Sequence, residues 1–343
     1  MEHILSGSGF QETLVHESES TELHVGYQLI KVYGLWRNGN HAIINWLLGL
    51  QPEKTLFFNN RLVGCSLLDR PSGTSMPPGI NAHAIRENGK GRVQDHLVDA
   101  FRHDGERLVV SFENFNLELH DEAIVNQPII DLFGEPETSA NLIILRNPFS
   151  VMPSLVRSRM LSGRRARSSR AMAAIFRRNM QRVQRVAADP RRIWRKLRSQ
   201  WGPGNKPEAH VRTGVRDIMR LWPGYARRTR GAEHLGPGRT IGVIYDFWVA
   251  DRSYRDRLAK DLGLVNQDRF LDFVSDAGGG SSFEGTAVSG DRLRGTDMFK
   301  RWEDCPERAE LLDVCRDFPD IVTEAVLIFG DHKVPDDARR LVR

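Results

Sequence analysis

The chain has little of what would staple, plate or anchor it. Its 343 residues include only three cysteines, Cys65, Cys305 and Cys315. That odd number, at those separations, builds no disulfide framework and no Cys-x-x-Cys clip, so reduced thiols and a cytoplasmic setting are expected. No His-x-x-x-His pair occurs, and no metal site is expected. No run of 18 apolar residues exists, which argues against a membrane-spanning helix. A basic stretch followed by an apolar one, the mark of a secretory leader, is missing from residues 1–27, which are polar and rich in Ser and Glu. Lysine is scarce, with 8 residues against 41 arginines. The Gly-Lys-Ser/Thr ending of nucleoside-triphosphatase loops is absent too.

What remains is enough for a sizeable core, since 40% of the residues are hydrophobic. Apolar runs rich in branched residues predict strands at 28–34, 54–58, 107–112, 140–146 and 240–246. Helical patterns fall at 41–50, 92–103, 149–160, 168–187, 190–199, 211–222, 251–262 and 307–328. Strands alternating with helices imply an α/β fold, a central parallel sheet flanked by helices. The expected organisation is an N-terminal arm over 1–27 and one domain over 28–343, carrying an Arg-rich helical insertion at about 160–230. In open sheets of this kind ligands bind beyond the strand C-termini.

Two segments at such strand ends carry phosphate chemistry. The first strand leads into Leu35-Trp36-Arg37-Asn38-Gly39-Asn40-His41, and a helix starts directly after it. A strand, a short Gly-containing loop and a helix form an anion cradle, because the backbone N–H groups and the helix dipole face the charge. Here the cation comes early, as Arg37, and no metal-binding hydroxyl follows. The second segment is the strand Asn141-Leu142-Ile143-Ile144-Leu145 ending in Arg146, with Pro148 suited to a first helical turn and Ser154 eight residues after the arginine. Arg146 offers a planar fork and Ser154 a hydroxyl, so the two can grip one phosphate from two sides.

Together the segments resemble the sulfotransferases that use 3′-phosphoadenosine 5′-phosphosulfate, PAPS. In that family a 5′-phosphosulfate loop of the form Pro-Lys/Arg-Ser-Gly-Thr/Asn follows the first strand. A 3′-phosphate motif has Arg followed eight residues later by Ser. Arg37-Asn38-Gly39-Asn40-His41 stands at the first and Arg146 with Ser154 at the second. Val243-Ile244-Tyr245-Asp246 is similar to the family's strand ending in Tyr-Glu-Asp, and Leu262-Gly263-Leu264 to its Leu-Gly-Leu. The resemblance implies a P-loop-like sulfotransferase architecture, PAPS as cofactor and no metal. It implies cofactor contacts from Arg37, Asn38, Gly39, Asn40, His41, Arg146 and Ser154. The chain departs from the pattern at Trp36, where Pro is usual, and at Asn38, Asn40 and His41, where hydroxyls are common. Ala42 stands where many members carry an adenine-stacking Trp. Ala277-Gly278-Gly279-Gly280-Ser281-Ser282-Phe283 replaces the family's late Arg-Lys-Gly loop. Ser281 and Ser282 could donate to an anion there and Phe283 could lie against a base, or the segment is a plain surface loop.

Charge is unevenly spread. Residues 151–200 hold 14 Arg and one Lys against a single acid, Asp189, a net +14 in a chain of net +5. Such a face suits cofactor phosphates, an acidic acceptor or anionic lipid, or is a solvated helix surface. Sparse aromatics within it make nucleic acid a poor partner.

Sulfuryl transfer needs a cation at the bridging oxygen and a base for the acceptor's proton. Arg37 suits the first. Glu113, closing the strand Leu108-Val109-Val110-Ser111-Phe112, is the first choice for the second, with His41 next and His83 and His96 weaker. The acceptor is open between small molecules, carbohydrate and lipid, and the oligomeric state is not legible. Two other classes remain: an ATP-dependent P-loop kinase-like transferase, disfavoured by the missing Lys-Ser/Thr, and a noncatalytic basic protein binding nucleic acid or membrane, which leaves the phosphate motifs without a task.

Overall fold

A computed structural model describes residues 26–50, 54–59, 67, 101–162, 214–236, 238–269, 271 and 300–342. Five parallel strands form one sheet: β1 (Gln28–Gly34), β2 (Thr55–Phe58), β3 (Arg107–Glu113), β4 (Thr138–Leu145) and β5 (Arg239–Ile244), in the order β2-β3-β1-β4-β5. The register sets Gly34 beside Glu113 on one side and Ile144 on the other, so the ends of β1, β3 and β4 are nearly level.

Helices cover both faces. On one lie α1 (Asn40–Leu50), α6 (Tyr245–Ala250) and α7 (Arg252–Asp261), packing Ile44, Trp46, Trp248 and Leu258 onto Ile30, Val32, Val109 and Leu142. The other carries α2 (Glu122–Phe133), α3 (Pro148–Ser162), α4 (Val215–Met219), α5 (Trp222–Thr229), α8 (Lys300–Glu303), α9 (Arg308–Asp317), α10 (Asp320–Phe329) and α11 (Asp336–Arg339), whose apolar residues meet Leu29, Tyr33, Phe112 and Ile143. Strands buried on both faces need mostly apolar runs, and the inner strands β1, β3 and β4 have them, broken by Lys31, Ser111 and Asn141. Among the described residues no helix is long and apolar enough to cross a membrane.

The strands fall where the sequence places them, with the fifth ending two residues earlier, since Tyr245 and Asp246 open α6. Helix α2 is not anticipated by the apolar pattern. Asp121 caps it by accepting the Ile124 N–H, and Gly134 ends it at a φ of 78°. Pro128 sits inside and removes one N–H from the ladder, and that proline obscures the helical reading. The single helix predicted over 307–328 is two, broken at Phe318-Pro319. The one predicted over 211–222 is also broken, with α4 ending at Met219 and α5 beginning at Trp222. The predicted helices at 168–187 and 190–199, most of 92–103 and most of the proposed insertion at 160–230 lie outside the described residues. Tyr27, the last residue assigned to the arm, is in the core, where its hydroxyl donates to the Gly134 carbonyl at 2.7 Å.

Two polar features sit within this apolar frame. Lys31, in the middle of β1, is wholly buried and pairs with Glu122 of α2 while donating to Asn126 Oδ1 at 2.9 Å. His120 Nε2 lies 3.4 Å from Glu122 and 3.1 Å from the Tyr33 hydroxyl. At the sheet's flank, the Tyr254 hydroxyl accepts the Ile244 N–H at 3.0 Å and faces the Gly242 carbonyl at 3.3 Å, covering backbone groups of β5 that face away from β4.

Candidate functional site

The chain leaves β1 towards β2 and leaves β4 towards β5, the opposite way. Connections diverging from adjacent strands open a crevice at their C-terminal ends. The loop after β1 and Arg146 after β4 both stand at this crevice, and they are bonded across it. Arg146 Nη1 donates to the Arg37 carbonyl at 3.2 Å, and Asn38 Nδ2 donates to the Ile144 carbonyl at 2.9 Å.

The loop's shape follows from two residues. Arg37 holds a φ of 68° and Gly39 a φ of 87°. At Gly39 a Cβ would collide with the Tyr245 ring, so the loop lies flat on that ring only because glycine is there. The Arg146 guanidinium carbon lies 4.8 Å from the centroid of the same ring. Tyr245, assigned by sequence to a strand end, is thus the shared floor of the loop after β1 and of Arg146. Nothing in its spacing signals this, because the contact depends on the first turn of α6.

Helix α1 opens at Asn40; the Ala42 and Ile43 N–H groups bond back to the Gly39 carbonyl at 3.0 and 3.3 Å. The N–H groups of Asn40 and His41, ahead of the first full turn, stand where a helix start meets an anion. The two asparagines of the loop act inwardly. Asn38 is fully buried, with its N–H on the Leu35 carbonyl at 3.1 Å and its side chain on β4. Asn40 Nδ2 donates to the Leu35 carbonyl at 3.1 Å and lies 3.4 Å from Glu113 Oε1. Both side-chain amides of the loop thus donate their Nδ2 groups to backbone carbonyls of the protein itself. Burial holds the His41 imidazole below its usual range, and the Arg37 charge pushes it the same way, which favours the neutral ring at neutral pH.

Arg146 is buried to 8% exposure and its carbonyl accepts from Trp222 Nε1 at 3.0 Å. Ser154, two turns into α3, is 3% exposed. Asp246 adds a carboxylate to the same corner, with Oδ2 accepting the Asn147 N–H at 2.9 Å. Burial raises its pKa, while the Arg146 charge opposes that rise. Asp246 helps position the cation and also offsets part of its charge.

The structure brings together Arg37, His41, Arg146 and the carboxylate of Glu113 on one sheet edge. Ser281, Ser282 and Phe283 lie outside the described residues, as do His83 and His96. Among the described residues no cluster of three or more His, Cys, Asp or Glu could hold a metal ion. Comparison with protein-family models, with curated proteins and with solved structures gives no match.

Proposed function

We propose that the crevice between β1 and β4 binds PAPS and that the protein transfers its sulfuryl group to a hydroxyl or amine, within a P-loop-like sulfotransferase architecture. The observation that carries this reading is the bond from Arg146 to the Arg37 carbonyl. Two motifs 109 residues apart in sequence, each suited to a different phosphate of one nucleotide, are joined at the point where an open sheet binds ligands.

The chemistry then runs as follows. The acceptor oxygen attacks sulfur while the bond from sulfur to the bridging oxygen breaks, and 3′,5′-ADP departs with that electron pair on its 5′-phosphate. Arg37 and the Asn40 and His41 N–H groups at the start of α1 offset the charge that develops there. Glu113 accepts the acceptor's proton, and neutral His41 stands ready on the cofactor loop to do the same. Arg146 and Ser154 hold the 3′-phosphate, with the guanidinium set in place by Tyr245 and Asp246 before any ligand arrives. No metal is required, because fixed cations fill its place. The site suits a cytoplasmic enzyme that meets a small-molecule, carbohydrate or lipid acceptor.

Thermal stabilisation separates this from the other classes. 3′,5′-ADP should raise the Tm, and 5′-AMP, ATP with magnesium, and RNA should do so far less. Stabilisation by ATP with magnesium alone would favour a kinase-like transferase, and by RNA alone a nucleic-acid binder.

A further inference from the structure

Trp36 is the largest exposed apolar side chain among the described residues, 47% accessible beside neighbours that are almost fully buried, Leu35 and Asn38. This half-exposed indole follows β1 directly, at the C-terminal end of the sheet, the side on which open α/β sheets bind ligands. The backbone around it is held in an unusual way. Three non-glycine residues among those described have positive φ, and two of them flank Trp36: Arg37 at 68° directly after it, and Asn114 at 55° across the sheet edge. Such conformations persist where surrounding bonds enforce them, and they gather at functional sites. The bonds are present. The Asn114 N–H donates to the Gly34 carbonyl at 2.9 Å, and Asn114 Oδ1 accepts the Trp36 N–H at 2.8 Å. Trp36 is therefore presented from a clamped loop, between the cation of Arg37 and the strand end that carries Glu113.

We propose that Trp36 is the platform for the acceptor: its indole takes the flat face of a ring that bears the reacting hydroxyl and sets that hydroxyl towards Glu113. Its part in transfer rests on the sulfotransferase reading; its part in binding does not. An indole face stacks on an aromatic ring and equally on the C–H face of a sugar, whereas a linear alcohol gains little from it. The acceptor class is thus a cyclic hydroxyl compound, with Trp36 setting specificity and Glu113 acting on the proton.

The test uses the full chain, with and without 3′,5′-ADP, and three probes: 2-naphthol, methyl β-glucopyranoside and 1-hexanol. Binding is read by saturation-transfer NMR and titrated for the wild type, Trp36→Ala and Trp36→Phe. At least one ring compound should bind the wild type, lose about tenfold or more in Trp36→Ala, and recover most of that in Trp36→Phe. The Tm and the 3′,5′-ADP-induced shift should be unchanged in both variants. A response to naphthol alone, or to the glucoside alone, identifies the ring as aromatic or sugar. Equal binding of ring compounds to wild type and Trp36→Ala, no ring binding to the wild type, or equal binding of 1-hexanol would overturn the proposal. So would loss of the 3′,5′-ADP shift in Trp36→Ala, which would make Trp36 a support for the loop. If 3′,5′-ADP fails to stabilise the wild type while ring binding still depends on Trp36, the cofactor reading falls and the platform stands.

Discussion

The Arg146 guanidinium, 109 residues from Arg37 in sequence, donates to the Arg37 carbonyl at 3.2 Å while lying 4.8 Å over the Tyr245 ring. One cation thus shapes the loop after β1 and, on the proposed reading, also supplies charge to the 3′-phosphate. A single side chain in two roles gives its removal two measurable effects.

Arg146→Ala should weaken 3′,5′-ADP binding at least about tenfold, because a charge-assisted hydrogen bond contributes about 1.5–3 kcal/mol. The variant should bind 3′,5′-ADP and 5′-AMP alike, whereas the wild type prefers the former. Its Tm should also fall, since the Arg37 loop loses an anchor. Calorimetric titration of both nucleotides checks this; a variant that still prefers the 3′-phosphate would assign that contact elsewhere.

Arg37 should act mainly on rate. Removing one donor from a developing oxyanion costs about 10² or more in turnover, so Arg37→Ala should lose that much while retaining most 3′,5′-ADP affinity. Its positive φ adds a control. Arg37→Gly removes the same guanidinium but suits the left-handed backbone, so it should be the more stable of the two and equally inactive. Steady-state kinetics beside Tm measurements separate the two effects, and full turnover in either variant would move the role to another cation.

Glu113→Gln keeps the carboxyl's shape and can still meet Asn40 Nδ2, yet cannot take a proton. A general base contributes roughly 10²–10⁴ in rate, so transfer should fall by that factor with 3′,5′-ADP binding intact. Surviving transfer would pass the role to His41. Lost nucleotide binding would make Glu113 a support of the Asn40 corner.

How much of this was legible in the chain differs by element. The strands could be read because most of their residues are apolar and buried, and Arg37, Glu113 and Arg146 follow as the residues at or just beyond their ends. Helix α2 was hidden by Pro128, although Asp121 and Gly134 mark its ends. The inward roles of Asn38 and Asn40 could not be read, since an amide in a loop serves a ligand or a neighbouring carbonyl equally well. Tyr245 beneath Gly39 was beyond reach for a different reason: the contact joins segments more than 200 residues apart, and no local pattern encodes it. Lys31 gives no hint of its burial, because its partner, Glu122, lies on the helix the pattern misses.

That buried cluster makes stability depend on pH. Burial holds the His120 imidazole down to about 4, from an ordinary 6.5, with Lys31 and Arg228 pushing the same way and Glu122 and Asp121 opposing. Between these values the unfolded chain takes a proton that the folded protein refuses. The contribution is therefore complete above about pH 6.5 and is lost as pH falls towards 4. Urea midpoints at pH 7 and pH 5 should drop more for the wild type than for His120→Gln. An equal drop would assign the slope to other groups, among them His41, whose shift has the same sign.

The Tyr254 hydroxyl covering β5 bears on how copies of this molecule meet. A flank with bare N–H and C=O groups invites another strand to extend the sheet, and a sheet so extended grows without limit. Because one phenol already occupies the Ile244 N–H and faces the Gly242 carbonyl, a second chain arriving there finds that stretch of ladder taken. A side chain on the neighbouring helix thereby shortens the stretch of β5 backbone open to a further strand, independently of whatever the crevice binds.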